Sequence, residues 1–300
     1  MNPGREDLPG YFYPEGKLSL RIKNAVVDGP PACRGNMDLV HLSGIAYNRR
    51  DKPERKRKGK NGMYTFQTQV RYSELDADRK LSIASIVDYF QDCSTFQSEE
   101  LGVGIEYLDQ VGLLWVMSYW QIVIDRYPGL CERITVGTFP YEFKSFLGFR
   151  NFFIADEAGK KIVRANSIWT LIDVRTGLPA KPTREMVEAY RLEEKLDMPY
   201  EPRKIRFDRE GEKHPVIFVG KQHLDSNHHV NNGQYIHMAQ DYLPEDFEIG
   251  QMRAEYKKSA LLNDCIVPEA FVEEDRVGVS LCDEAGSPDA IVEFRRKTRG

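Results

Sequence analysis

Three hundred residues are enough chain for two domains. With 41% apolar and 29% charged residues and a net charge of −4, the composition is that of a globular protein. It gives no reason for the whole chain to bind nucleic acid or a membrane. No apolar run reaches the length a membrane-spanning helix requires, while 11% aromatic residues suffice for sizeable cores or an apolar ligand tunnel. The five cysteines (Cys33, Cys93, Cys131, Cys265 and Cys282) are widely spaced and form no CxxC pair. They read as free thiols of a reducing compartment. With no apolar h-region at the N-terminus, the expected location is the cytoplasm.

Residues 1–62 carry Pro-Gly and Pro-Pro breaks, little periodicity and a basic run from Arg49 to Lys60. Charge-driven disorder accounts for such a run more simply than a nucleic-acid tail, so a poorly structured basic extension is expected. Strand patterning begins at Met63, with Phe66, Thr68, Val70 and Tyr72 alternating onto one face. A helix follows, its apolar stripe made by Ile83, Ile86, Val87 and Phe90 and its end near Leu101-Gly102. Val116, Ser118, Trp120, Ile122 and Ile124 mark one face of a long strand, and Asp156-Glu157-Ala158-Gly159 a hairpin turn. Residues 176–214 are rich in proline and charge, with a short helical piece around Arg184–Lys195, and read as a connection.

The chain then repeats itself. Leu75-Asp76 and Gln91-Asp92 match Leu224-Asp225 and Gln240-Asp241 at one offset (225 − 76 and 241 − 92 both give 149). The turn Asp156–Gly159 recurs as Asp283-Glu284-Ala285-Gly286 at a shorter offset (283 − 156 = 127), so the second copy has lost residues in between. Two repeated features in the same order indicate a duplication. Each copy has a strand, one helix and several antiparallel strands. Such a helix buries its stripe against one sheet face, an α+β solution.

The densest chemistry lies in Asp225-Ser226-Asn227-His228-His229-Val230-Asn231-Asn232, with Tyr235 following. Asp225, Asn227 and His229 alternate, so an extended backbone projects all three from one face. The next residues read as a helix: Tyr235, Met238, Ala239 and Tyr242 share a face, and Pro244 sits just past the end. A helix N-terminus offers unpaired amides and partial positive charge, which suit an oxyanion. A carboxylate, an amide, an imidazole and an anion hole are the parts needed to hydrolyse an ester or thioester. A metal site is not expected, because no subset of His223, Asp225, His228, His229 and His237 has the spacing of a closed site.

Asp225-x-Asn227-x-His229-Val230-Asn231-Asn232-x-x-Tyr235 resembles the signature of hotdog-fold thioesterases. The stretch from Leu114 to Pro128 resembles the first domain of the fatty acyl-[acyl carrier protein] thioesterases of plants and anaerobic bacteria, and Ala254-Glu255-Tyr256-Lys257-Lys258 a segment of their second domain. The similarity runs from about Met63 to near the C-terminus. It implies two tandem hotdog domains, each a long helix wrapped by an antiparallel β-sheet. Residues 63–190 would be an N-terminal, acyl-binding domain, 191–214 a linker and 215–300 a C-terminal, catalytic domain. The implied reaction is hydrolysis of fatty acyl thioesters on acyl carrier protein to free acid, ending elongation, with no cofactor. Asp225, Asn227 and His229 match the family's catalytic positions, and one face of the strand carrying Trp115, Met117 and Tyr119 is expected to line the acyl pocket.

One departure stands out. Plant members carry Glu-Cys where this chain has Ser259-Ala260, so a cysteine nucleophile is excluded there and a supporting carboxylate is missing. Glu255 shares the strand face but lies roughly 13 Å away, a poor substitute. The competing readings are an acyl-CoA thioesterase, a hotdog enoyl-thioester hydratase and a non-catalytic acyl-binding protein. In the hydratases a proline follows the asparagine and the histidine falls one residue later. Here His228 follows Asn227, and an intact Asp/Asn/His set is more than a binding module needs. The expected partner is acyl carrier protein, and a homodimer stays open because the fused pair already forms the usual hotdog dimer within one chain.

Overall fold

The computed structural model describes residues 62–298. The expected basic extension, with Cys33, therefore lies outside the described residues apart from Gly62. Gly62 is buried in the folded body: its carbonyl accepts from Gln97 Nε2 at 2.7 Å and its amide donates to Glu193 Oε1 at 2.5 Å.

The first half runs β1 (Tyr64–Gln69), α1 (Ile83–Leu101), α2 (Ile105–Val111), β2 (Leu113–Ile124), β3 (Arg133–Lys144), β4 (Leu147–Ala155), β5 (Lys161–Asp173) and α3 (Arg184–Ala189). The second half runs β6 (Glu212–Lys213), β7 (Ile217–Phe218), α4 (Asn232–Gln240), β8 (Ile249–Tyr256), β9 (Cys265–Val272), β10 (Arg276–Cys282) and β11 (Pro288–Arg296). All strands join one antiparallel sheet in the order β1-β3-β4-β5-β2-β8-β11-β10-β9-β6, with β7 also on β9. The two halves share one plan, since β7 lies on β9 as β1 lies on β3. They meet at the β2–β8 seam, where Trp120 faces Ala254 and Ile122 faces Met252. This is the α+β tandem hotdog.

Within its Asp turns the duplication extends to individual hydrogen bonds. Asp76 Oδ1 accepts from the amides of Asp78 (3.0 Å) and Lys80 (2.9 Å), and Asp225 Oδ1 from those of Asn227 (2.8 Å) and His229 (3.2 Å). Arg79 and His228, at the same step of each turn, have φ of 59° and 62°. The hairpin turns match likewise: Asp156 and Asp283 each take two amides on Oδ1, and Gly159 and Gly286 both have φ of 79°. A side-chain acceptor that closes its own turn tolerates one left-handed residue within it, and that chemistry set the repeat.

Helix α1 starts at Ser82, whose Oγ accepts from the Ser85 amide, and ends at Gly102 with φ of 74°. Its Ile83, Ile86, Val87 and Phe90 pack with Trp120, Ile122 and Phe152, in one core with Tyr235, Ile236 and Ala239 of α4 and with Met252, Val292 and Phe294. Burying each such side chain contributes about 1.5–3 kcal/mol. Helix α4 is only 9 residues against 19 for α1, because Pro244 disfavours helical backbone at Leu243.

Two expected faces need correction. Val116 is exposed, off the face shared by Trp120, Ile122 and Ile124, because the β2–β5 register slips between Met117 and Tyr119. The bulge adds one residue and flips the alternation. Tyr72 is 83% exposed, because the strand stops at Gln69 and a short 3₁₀ turn follows.

The connection after α3 crosses the sheet face that α1 does not cover. Asn151 Oδ1 accepts from the Leu196 amide, Gln121 from Glu201 and Glu255 from Ile205, while Arg253 and Arg276 donate to the carbonyls of Pro202 and Arg206. Those partners explain why polar residues such as Gln121, Asn151 and Arg253 lie buried within strands.

Candidate active site

The loop between Leu224 and Val230, which bridge one another, carries the three predicted residues. Asp225 closes the turn, and its carboxylate orients the backbones of Asn227 and His229 by accepting both amides. Asn227 is exposed at the tip. His229 is half-buried and bridges Leu261, while the Val230 amide donates to Ala260 O at 3.0 Å. His228, at φ 62°, is exposed at the remaining corner. His223 is placed by a hydrogen bond from the Gly220 amide to Nδ1 at 3.0 Å. Among the described residues no cluster of three or more His, Cys, Asp or Glu side chains could hold a metal.

The amides at the start of α4 are less available than the sequence suggests. Asn231 caps the helix, its Oδ1 accepting from Gly233 N at 2.8 Å, and Gln234 N donates to Asn231 O at 2.9 Å. Asn227 is thus a freer donor for an oxyanion than either of these amides.

Asn227 lines a cavity of 240 Å³ whose other walls all come from the first half. Helix α1 supplies Ser94, Thr95 and Ser98, and α2 supplies Ile105 and Leu108. The sheet supplies Leu114 and Trp115 from β2, Phe143 from β3, Phe149 and Arg150 from β4 and Trp169 from β5. Tyr190, just past α3, completes the wall. Two glycines shape it. A Cβ on Gly148 would meet the Trp115 ring at 3.1 Å, and one on Gly104 would meet the Glu99 carboxylate at 2.2 Å. That carboxylate accepts from the Ile105 amide at 2.7 Å and so begins α2.

Of the three aromatic and apolar residues expected at the pocket, Trp115 lines the cavity. Met117 is buried in the main core instead. Tyr119, beyond the bulge, is buried against the connection, with its hydroxyl 3.5 Å from Glu201 O. The sequence reading missed Phe143, Phe149, Arg150, Trp169 and Tyr190. Periodicity marks a buried face but does not separate a cavity wall from a packed core. Only Ile105 and Leu108, three apart on a short glycine-bounded helix, carried a legible signal.

The segment that departs from plant members lies beside the loop. Ala260 is buried and its amide donates to Tyr235 Oη at 2.9 Å. Glu255 is committed elsewhere, accepting from Ile205 N at 3.0 Å. A different carboxylate lies near: Asp289 is buried, its carbonyl accepts from Lys257 and Lys258, and its side chain is 3.6 Å from Lys258 Nζ. Burial pushes its pKa up to about 6, against the pull of Lys258.

The site thus sits in a tandem hotdog with an apolar cavity in one half and a polar loop of the other half at its wall. Residues 61–190 match the family described as the acyl-ACP thioesterase N-terminal domain. It is 22% identical over 231 residues to an acyl-[acyl-carrier-protein] hydrolase, FATB1, chloroplastic, of Cuphea viscosissima, covering 70% of this chain and 54% of that protein. It is 24% identical over 206 residues to the chloroplastic palmitoyl-acyl carrier protein thioesterase of Arabidopsis thaliana, covering 64% and 49%. The chain spans about half the length of the curated relatives it matches. Among solved structures, it resembles an acyl-ACP thioesterase of Bacteroides thetaiotaomicron with TM-score 0.72 and 22% identity, covering 79% of this chain and 98% of that one. It resembles the 12:0-ACP thioesterase of Umbellularia californica with TM-score 0.71 and 18% identity, covering 80% and 98%.

Proposed function

We propose that this protein hydrolyses fatty acyl thioesters carried on acyl carrier protein, releasing the free acid and the carrier thiol and so ending elongation. The observation that carries this reading is Asn227: it belongs to the Asp225–His229 loop of the second half yet lines the cavity of the first. An acyl chain held among Trp115, Phe149 and Trp169 would bring its thioester to that loop. Residues 63–190 are then the acyl-binding domain, 191–214 the linker and 215–300 the catalytic domain.

Water attacks the thioester carbonyl, with Asp225 or His229 taking its proton and Asn227 donating to the developing oxyanion; the intermediate then collapses by breaking the C–S bond, and the same base returns the proton to the departing carrier thiolate. Asp225 Oδ1 already holds two amides, so any proton it takes goes to Oδ2. No thiol takes part at Ala260, so no covalent acyl-enzyme forms there. A carrier protein is strongly acidic, so local Lys and Arg would steer it and salt would weaken the encounter. The cytoplasm, suited to the unpaired Cys93, Cys131, Cys265 and Cys282, is the compartment proposed.

The test is thiol release and product acid from the same acyl group on carrier protein, on CoA and as the enoyl thioester, at low and high salt. Preference for the carrier, lost as salt rises, supports the reading. Equal rates on both carriers without salt dependence indicate an acyl-CoA thioesterase, hydration of the enoyl thioester indicates a hydratase, and binding without turnover indicates a carrier of acyl chains.

A further inference from the structure

The cavity wall holds a charge that an unadorned hydrocarbon chain does not need. Arg150 is only 8% exposed, in strand β4, yet it lines the cavity among Phe149, Trp115 and Trp169. Its Nη1 donates to Gln97 Oε1 and, at 3.2 Å, to Thr138 Oγ1. Its Cζ lies 5.3 Å from the centre of the Tyr190 ring. All three neighbours are neutral, and among the described residues no carboxylate pairs with it within 4.0 Å. A guanidinium carries five N–H donors. Filling the cavity with plain methylenes would strip water from this group without giving any donor a new acceptor, which is costly for a buried charge.

The rest of the wall says which acceptor fits. Ser98 Oγ lies 2.5 Å from Tyr190 Oη, and Glu99 lines the same cavity. A carboxylate on the acyl chain would meet Arg150 but would also face Glu99. A neutral oxygen meets the guanidinium without that repulsion, and a hydroxyl can also donate to the oxygens around it.

We propose that Arg150 is a specificity-determining residue that selects acyl chains bearing a neutral oxygen substituent, hydroxyl or oxo, along their length. The proposal rests on the thioesterase reading and adds the chemical class of the chain. Arg150 takes no part in the reaction itself, since the proton transfers belong to the Asp225–His229 loop.

The test compares kcat/KM for acyl-CoA or acyl-carrier thioesters of equal carbon count: saturated, hydroxylated at successive positions, oxo and ω-carboxy. The wild-type protein is expected to favour a hydroxy- or oxo-acyl chain at some position by about tenfold or more over the saturated chain, the scale of one hydrogen bond to a charged group. Arg150→Met should abolish that ratio, bringing kcat/KM for the oxygenated chain down to that of the saturated chain measured on the same variant. Because Arg150 also ties α1 to the sheet, the same ratio is read by binding of the free acids to wild-type protein, using fluorescence of Trp115 and Trp169. Tighter binding of the oxygenated acid supports the proposal even where Arg150→Met fails to fold. Equal or better use and binding of the saturated chain at every position would overturn it while leaving thioester hydrolysis intact. Preference for the ω-carboxy chain, or an unchanged ratio in a folded Arg150→Met, would overturn it too. Absence of all hydrolysis would instead remove the underlying reading.

Discussion

Replacing Asp225 by asparagine separates two roles that one carboxylate could play. Asp225 Oδ1 accepts from Asn227 N at 2.8 Å and His229 N at 3.2 Å, and an asparagine carbonyl in the same place can accept both. The turn should therefore survive, and Tm should stay within about 2 °C. Alanine removes both bonds. At about 0.5–1 kcal/mol net for each, Asp225→Ala should cost ~1–2 kcal/mol, or roughly 2–8 °C in Tm for a body of this size. If the carboxylate takes the proton, Asp225→Asn should lower kcat by ~10²–10⁴ despite its intact fold. Asp76 provides an internal control, since its Oδ1 makes the same two bonds at 3.0 and 2.9 Å but Lys80 replaces the imidazole. Asp76→Asn should leave kcat unchanged. Thioester turnover and thermal unfolding of the three variants decide the matter. Wild-type turnover in Asp225→Asn would reduce Asp225 to a turn-closing residue and leave His229 as the base.

His229→Ala and Asn227→Ala should each lower kcat by at least ~10²-fold with circular dichroism unchanged; near-wild-type turnover in either would remove that residue from the reaction. Glu293 is fully buried between Arg253 (2.8 Å), Arg276 and Arg295 (3.2 Å), so Glu293→Ala should cost about 3–5 kcal/mol in denaturant titration; a loss below 1 kcal/mol would show that water enters and solvates the arginines. Burial raises the Asp289 pKa to about 6 from 3.8, so the folded state binds its proton more tightly than the unfolded chain does. Stability should therefore fall as pH rises through this interval, and Asp289→Asn should gain up to ~3 kcal/mol at pH 8 and nothing at pH 3; an equal effect at both pH values would contradict the linkage. A chain beginning at Gly62 should keep its Tm within a few degrees, whereas one beginning at Met63 loses the carbonyl that holds Gln97 and should melt lower.

What the sequence made legible was local. The two hairpin turns at Asp156–Gly159 and Asp283–Gly286 and the Gly102 stop are each written within four residues, and each formed where its residues stood. The 149-residue offset held from the 3₁₀ turns (Tyr72–Glu74 and Lys221–His223) through the first residue of each helix. Less was legible where one residue changes a whole face. The slip at Met117/Tyr119 moved Tyr119 from the expected pocket face to the side covered by the connection, and no strand pattern announces a bulge. The crossing of residues 193–206 over the sheet was equally hidden, because its hydrogen bonds use backbone groups whose partners lie far away in sequence.

Duplication explains why the cavity and the polar loop belong to different halves. At the seam of the continuous sheet the two helices touch, a Cβ on Gly233 of α4 approaching Asp88 of α1 to 3.6 Å. That arrangement brings the turn of each half to the other: Asn227 shares a cavity wall with Ser94 and Ser98 of α1, and Lys80 pairs at 3.6 Å with Glu248, which immediately precedes β8. Either turn could thus have met a cavity. In the second half α4 stops at Gln240, so the stretch of α1 that walls the cavity, Ser94 to Glu99, has no helical counterpart there. The first half carries Asp78 and Lys80 where the second has Asn227 and His229. Each half keeps the part the other lacks, and a loss on one side is harmless only while its complement persists on the other.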